Sequence, residues 1–241
     1  MSQTYRFHTA TVSRYISHAA VALLCLAGGS AAKAEPSIGS PAIILINPNS
    51  NAAATESMRA LAQEAAGGEA RILGRTNDNA PRLLTTPEDM GQAVTGVVEI
   101  GRQAAAEEGV VAIIVSAFSD PGLAELREAV PDTVVVGIGE QAFHEAAKDG
   151  RSFAIVTITP DPELIESFRA GAEELVEKPE QLDTALAGVV EQAVREDGAE
   201  AVIVGGGLLS APARRIQSRF DVPLVVAVTA ATNAALMEIK Q

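Results

Sequence analysis

The chain is poor in the residues that most often carry chemistry. Its 241 residues hold one cysteine, Cys25, three histidines and no tryptophan, and aromatics make up 3%. So few rings argue against carbohydrate platforms and single-stranded nucleic-acid stacking. His8 and His18 fall in an N-terminal segment that reads as a leader, which leaves His144 alone on a helical stretch. One histidine supports neither a metal-ligand cluster nor a Ser-His-Asp set. Basic charge is also short. Eighteen Lys and Arg face 31 Asp and Glu for a net charge of −13, and no basic cluster offers a phosphate-binding stripe. Nucleic acid is therefore excluded as a partner. No Gly-Lys-Ser/Thr follows Gly205-Gly206-Gly207, and no strand–GxGxxG–helix fingerprint occurs, so nothing points to a nucleotide. The longest leader run, Ala19 to Ala27, is too short to span a bilayer.

What is present begins with the leader itself. Arg6 and Arg14 precede the apolar run, small residues follow it to Ala32-Lys33-Ala34, and no acidic residue appears before Glu35. A basic region, a short apolar region and an Ala-x-Ala site form the secretory pattern. The expectation is a signal peptide over residues 1–34 and an exported, periplasmic chain over 35–241. The alternative is a mis-called start codon in front of a cytoplasmic protein. Cleavage after Ala34 would remove Arg6, Arg14, Lys33 and Cys25. It would deepen the net charge to −16 and leave no thiol.

From Pro41 onward, short apolar runs alternate with helical patterns. Strands are expected at Ala42–Ile46, Val110–Ser116, Thr133–Ile138, Phe153–Thr157, Ala201–Val204 and Leu224–Val228. Each is nearly continuous in Val and Ile, as strands buried on both faces of a parallel sheet are. Helices are expected over Thr55–Ala66, Pro87–Glu108, Ala124–Ala129, Gln141–Lys148, Pro162–Glu177, Leu182–Glu196 and Ala211–Arg219. The alternation predicts an α/β fold with the ligand site at the carboxyl ends of the strands. The pattern repeats. Roughly 41–148 and 151–228 read as two pseudo-symmetric halves, with parallel sheets and loop sets facing each other across a cleft.

Three loops offer chemistry, and each has a plain structural use as well. Asn47-Pro48-Asn49-Ser50-Asn51 either meets an anionic group at a helix N-terminus or caps that helix. Ser116-Ala117-Phe118-Ser119-Asp120-Pro121-Gly122 either faces a ligand with hydroxyls, a carboxylate and a ring, or caps the next helix with Pro121 in its first turn. Gly205-Gly206-Gly207 lets backbone approach a ligand closely.

Together these stretches resemble the aspartate/glutamate/hydantoin racemase superfamily, closest to its hydantoin and allantoin racemase branch. The similarity lies in Ile44–Ser50 (ILINPNS), Ile114–Leu123 (IVSAFSDPGL), Val136–Ala142 (VGIGEQA), Phe153–Thr157 (FAIVT) and Asp197–Gly207 (DGAEAVIVGGG). The resemblance implies two flavodoxin-like halves and a small carboxylate or ureide ligand between them. It also implies a cofactor-independent isomerase with no metal, and a homo-oligomer as an expected assembly. Asn47, Ser116, Phe118, Ser119, Thr157, Gly206 and Gly207 are the implied ligand-binding positions. In the superfamily two cysteines flank the stereocentre, and their positions here are Ala117 and Gly206. Neither can carry a proton, so the two-thiol mechanism is absent. Asp120 and Glu140 have suitable chemistry to replace the pair, and each has capping or salt-bridging as its alternative use. Export and thiol loss fit each other, because two facing thiols risk a disulfide in an oxidising compartment.

Overall fold

The structure is a computed structural model that describes residues 7–9, 39–157, 178–206 and 209–240. The elements are β1 (Phe7–Thr9), β2 (Ala42–Asn47), α1 (Ala52–Ala66), β3 (Arg71–Thr76), α2 (Pro87–Ala105), β4 (Val110–Val115), α3 (Leu123–Ala129), β5 (Val134–Gly137) and α4 (Ile138–Ala146). There follow β6 (Phe153–Thr157), α5 (Pro179–Arg195), β7 (Ala201–Gly205), α6 (Ser210–Ile216), β8 (Leu224–Val226) and α7 (Ala227–Glu238). They build two four-stranded sheets, ordered β3-β2-β4-β5 and β1-β6-β7-β8, and every pairing is parallel. An α/β fold of parallel sheets was the expectation, and the two sheets correspond strand for strand.

Alternation along the strands sorts their side chains into layers. In β2, Ile43 and Leu45 face inward, where they meet Ala54 and Met58 of α1, Ala142 of α4, and Ala231 and Leu236 of α7. Ile155, Ala201, Ile203 and Val225 of the second sheet enter that same cluster. One core thus joins both halves through a shared layer of α1, α4 and α7. The outer faces are covered separately. Ile44, Ile46, Ile113 and Val115 pack under Val97 of α2 and Leu126 of α3. Ala154, Val156, Val202 and Val204 pack under α5 and α6. Each large apolar side chain so buried contributes about 1.5–3 kcal/mol of transfer free energy.

Local signals place the helices that matter for the site. Asn51 caps α1 by accepting the Ala54 N–H. Thr86 and Asp89 form a capping box at α2, with Pro87 in the first turn. Where structure and sequence differ, the causes are specific. β3 was not expected. It is an edge strand of mixed pattern, with Gly74 and two arginines in RILGRT and only Ile72 buried. The strand expected at Leu224–Val228 ends at Val226 because α7 starts at Ala227, and α7 is apolar on nearly all sides, which hides the change of period. That helix carries the second half past residue 228 and packs between α1 and α4 of the first. Ile138 starts α4 rather than ending β5. The helix expected over Pro162–Glu177 lies outside the described residues, as does Gly207.

Candidate active site

The parallel strands point their carboxyl ends the same way within each sheet, so the loops after β2, β4 and β5 gather in the first half and those after β6 and β7 in the second. In the first half two side chains hold the loops rigid. Asn47 is fully buried, and its amide donates to Asn49 Oδ1 (2.9 Å), Asn51 O (3.1 Å) and Thr55 Oγ1 (3.0 Å). Its Oδ1 accepts the Asn49 N–H, and Asn49 Oδ1 in turn accepts the Asn51 N–H. The INPNS segment is therefore a self-bonded turn leading into α1, and the polar atoms of Asn47 are engaged within it.

Asp120 is the second brace. Its backbone sits in the left-handed region, φ +49°, which aspartate tolerates better than most residues. Its carboxylate accepts the N–H groups of Gly139 (3.0 Å) and Glu140 (2.7 Å) at the start of α4. The glycines of Gly137-Ile138-Gly139 make room for this contact. A Cβ on Gly139 would lie 2.0 Å from the carbonyl oxygen of Phe118, and one on Gly137 would lie 2.3 Å from the Asp120 carboxyl carbon. Burial pushes the Asp120 carboxyl up to about 6, against the two N–H bonds that favour its charged form. Glu140 has a different occupation. Both its oxygens meet Arg127, at 2.6 Å and 3.3 Å, and that guanidinium holds the carboxyl below the ordinary glutamate range. Arg127 also donates to Val135 O, tying α3 to β5.

The remaining expected residues range from buried to exposed. Ser116 is buried, and its hydroxyl donates to the Met58 sulfur. Ser119 is exposed, while Ala117 and Phe118 are half-buried. In the second half Thr157 donates through its hydroxyl to Gly205 O at 3.0 Å, across the β6–β7 pairing that sets the two residues side by side. Gly206 has φ +120°, a conformation reserved almost entirely for glycine.

One contact brings the halves together. The Phe118 ring rests over Gly205, where an added Cβ would lie 2.8 Å from Phe118 Cε1. Behind it the ring meets Phe143, tilted by 32°, at 5.6 Å between centroids, and Phe143 meets Phe153 of the second sheet at 6.0 Å. Ala117 precedes Phe118 and Gly206 follows Gly205, so the two positions that would carry thiols are each one residue from this contact. The sequence did not single out Phe143 or Arg127, and it offered Gly205 only as part of a glycine turn, not as the seat of a ring. An unbranched residue beside a ring leaves no motif, and a structural arginine looks like any other surface charge. Among the described residues no group of three His, Cys, Asp or Glu is placed to hold a metal, and no helix is long and apolar enough to cross a membrane.

Residues 43–175 match the sequence profile of the family described as Asp/Glu/Hydantoin racemase, and they hold the loops after β2, β4 and β5 together with β6. The chain belongs to this family. It is 30% identical to a hydantoin racemase of Paenarthrobacter aurescens over 80% of this chain and 89% of that one. A hydantoin racemase of Rhizobium meliloti is 31% identical over 80% of this chain and 86% of its own length. Among solved structures, an allantoin racemase from Klebsiella pneumoniae superposes with a TM-score of 0.70. It is 26% identical, covering 83% of this chain and 88% of that chain. These similarities fall in the hydantoin and allantoin branch that the loops of the sequence resemble.

Proposed function

We propose that the cleft between the two loop sets takes a small carbon acid of the hydantoin or allantoin kind, an amino-acid derivative with ureide or carboxylate groups. Racemisation there, if it proceeds, runs on a non-cysteine acid/base pair. The observation that carries this reading is the gathering of INPNS, FSDPGL, GIGE, FAIVT and Gly205-Gly206 at the strand ends of two sheets that share one core. The identity to hydantoin racemases supports the substrate class.

Racemisation removes a proton from one face of a stereocentre and returns it to the other, and each acid/base group contributes a factor of about 10²–10⁴. Ala117 and Gly206 supply neither group. Asp120 is occupied at the α4 N-terminus and Glu140 by Arg127, and this favours a second reading. In it the chain is an exported, catalytically silent binding protein for a small carboxylate or ureide. The secretory pattern of residues 1–34 supports export to the periplasm on either reading.

One experiment separates the two. The purified chain is incubated in D₂O with aspartate, glutamate, allantoin and a set of 5-substituted hydantoins, and deuterium at the α-carbon is followed by NMR. The same compounds are run by thermal shift. Exchange above the buffer rate supports the isomerase. Stabilisation without exchange, about 2.7 kcal/mol at a hundred times Kd, supports the binding protein. Silence in both sinks both readings.

A further inference from the structure

In the first sheet the outer side of β2 is closed by β3, and the residues that deliver it, 48–86, also hold α1. The matching stretch of the second half, residues 158–178 between β6 and α5, is barely half as long. The outer side of β6 is filled from the start of the chain. Phe7, His8 and Thr9 lie in parallel register opposite Ile155, Val156 and Thr157. The two sheet orders then correspond position for position, with β1 standing where β3 stands.

β6 is poorly suited to being an open edge. Ala154, Ile155 and Val156 are buried, and Phe153–Thr157 contains no charge and no proline, the usual devices that keep an edge from pairing. We propose that the outer edge of β6 is a strand-acceptor site and that its occupant is the chain's own N-terminal segment, docked through Phe7–Thr9. Strand addition draws its affinity from main-chain hydrogen bonds, so a short segment of unremarkable sequence suffices when it is tethered. Removal of residues 1–34 would then uncover the edge. This holds whatever the cleft binds.

The test uses the full chain and a full-chain variant, Phe7→Pro with His8→Pro. Adjacent residues of a strand direct their N–H groups to opposite sides, so one of the two prolines removes a donor facing β6. Hydrogen exchange is read by mass spectrometry on peptides covering Phe153–Thr157, with Val110–Val115 as the internal control for folding. The expected result is β6 exchange about tenfold faster in the variant with β4 unchanged. Protection should return on adding a synthetic peptide of residues 2–12. Equal β6 rates in the two chains overturn the proposal, as does a variant that the peptide does not protect. Protection in the unmodified chain that rises with protein concentration assigns the edge to a second copy and overturns it too.

Discussion

The two loop sets at the strand ends are built in opposite ways. In the first half, side chains do the holding. Asn47 spans its turn with donated and accepted bonds, Asp120 clamps α4, and Arg127 joins α3 to β5 and to Glu140. In the described part of the second, backbone and glycine prevail. Thr157 reaches Gly205 O, Ser210 reaches Gly206 O at 3.4 Å, and Gly206 holds a conformation that a side chain would strain. Among the described residues the first half has the richer polar network, and its carboxylates Asp120 and Glu140 both bond within the fold. A loop that carries the family's sequence can thus also build the scaffold, whatever chemistry the site performs.

If that contrast is right, small substitutions should separate the halves. The largest effect is expected for Gly139→Ala. Its Cβ would meet the Phe118 carbonyl at 2.0 Å, and neither backbone can yield without moving Asp120, so a loss of at least about 3 kcal/mol follows. Gly206→Ala puts its Cβ in open space, 4.0 Å from Leu209, and is penalised by backbone strain alone, about 1–2 kcal/mol. Denaturant midpoints of the two variants decide the matter. A Gly206→Ala loss equal to or above that of Gly139→Ala would break the comparison.

The same contrast explains how much of the molecule is legible in its sequence. The strands were legible because Ala42–Asn47, Val110–Val115 and Ala201–Gly205 are continuous apolar runs, and buried parallel strands leave that trace. β3 was not, because an edge strand with Arg71, Gly74 and Arg75 carries no such run. At the site, the sequence names the loops but not the bonds their side chains make. Asp120 as a cap and Asp120 as a base require the same residue in the same loop, and the sequence could not show that its carboxylate accepts the Gly139 and Glu140 N–H groups. Phe118 was legible as a ring within a candidate ligand loop. Its seat on Gly205 depends on a fold that brings residue 118 to residue 205.

A smaller effect sharpens the role of Asp120 through pH. Its native carboxyl titrates at about 6 against an ordinary value of 3.8, so the folded chain holds that proton more tightly than the unfolded chain. The group's contribution is fully favourable below about pH 4 and is lost as pH rises through 6, a change of order 2–3 kcal/mol by linkage. Asp120→Asn removes the titration. The stability difference between the parent chain and this variant should therefore shift by about 2 kcal/mol in the parent's favour on going from pH 7.5 to pH 4. Paired unfolding curves at the two pH values measure it, and a difference that does not change with pH would show that the two N–H bonds outweigh the burial.

The smallest effect is expected at Glu140, where stability and chemistry should part. Its ion pair with Arg127 is partly exposed, with 42% and 31% of the two side chains accessible, and such pairs are worth less than about 1 kcal/mol. Glu140→Gln keeps the shape and the backbone N–H that Asp120 uses, so its unfolding midpoint should move very little. The functional readout need not follow. If deuterium enters a hydantoin at the α-carbon and Glu140 is one of the two acid/base groups, its loss should slow exchange by a factor of about 10² or more. If Glu140 only steadies α3 against α4, exchange and thermal stabilisation by ligand should both survive. A variant as stable as the parent that no longer exchanges would make this glutamate the replacement for one thiol. A variant that exchanges normally would confine it to the scaffold, where its pair with Arg127 joins α3 to α4.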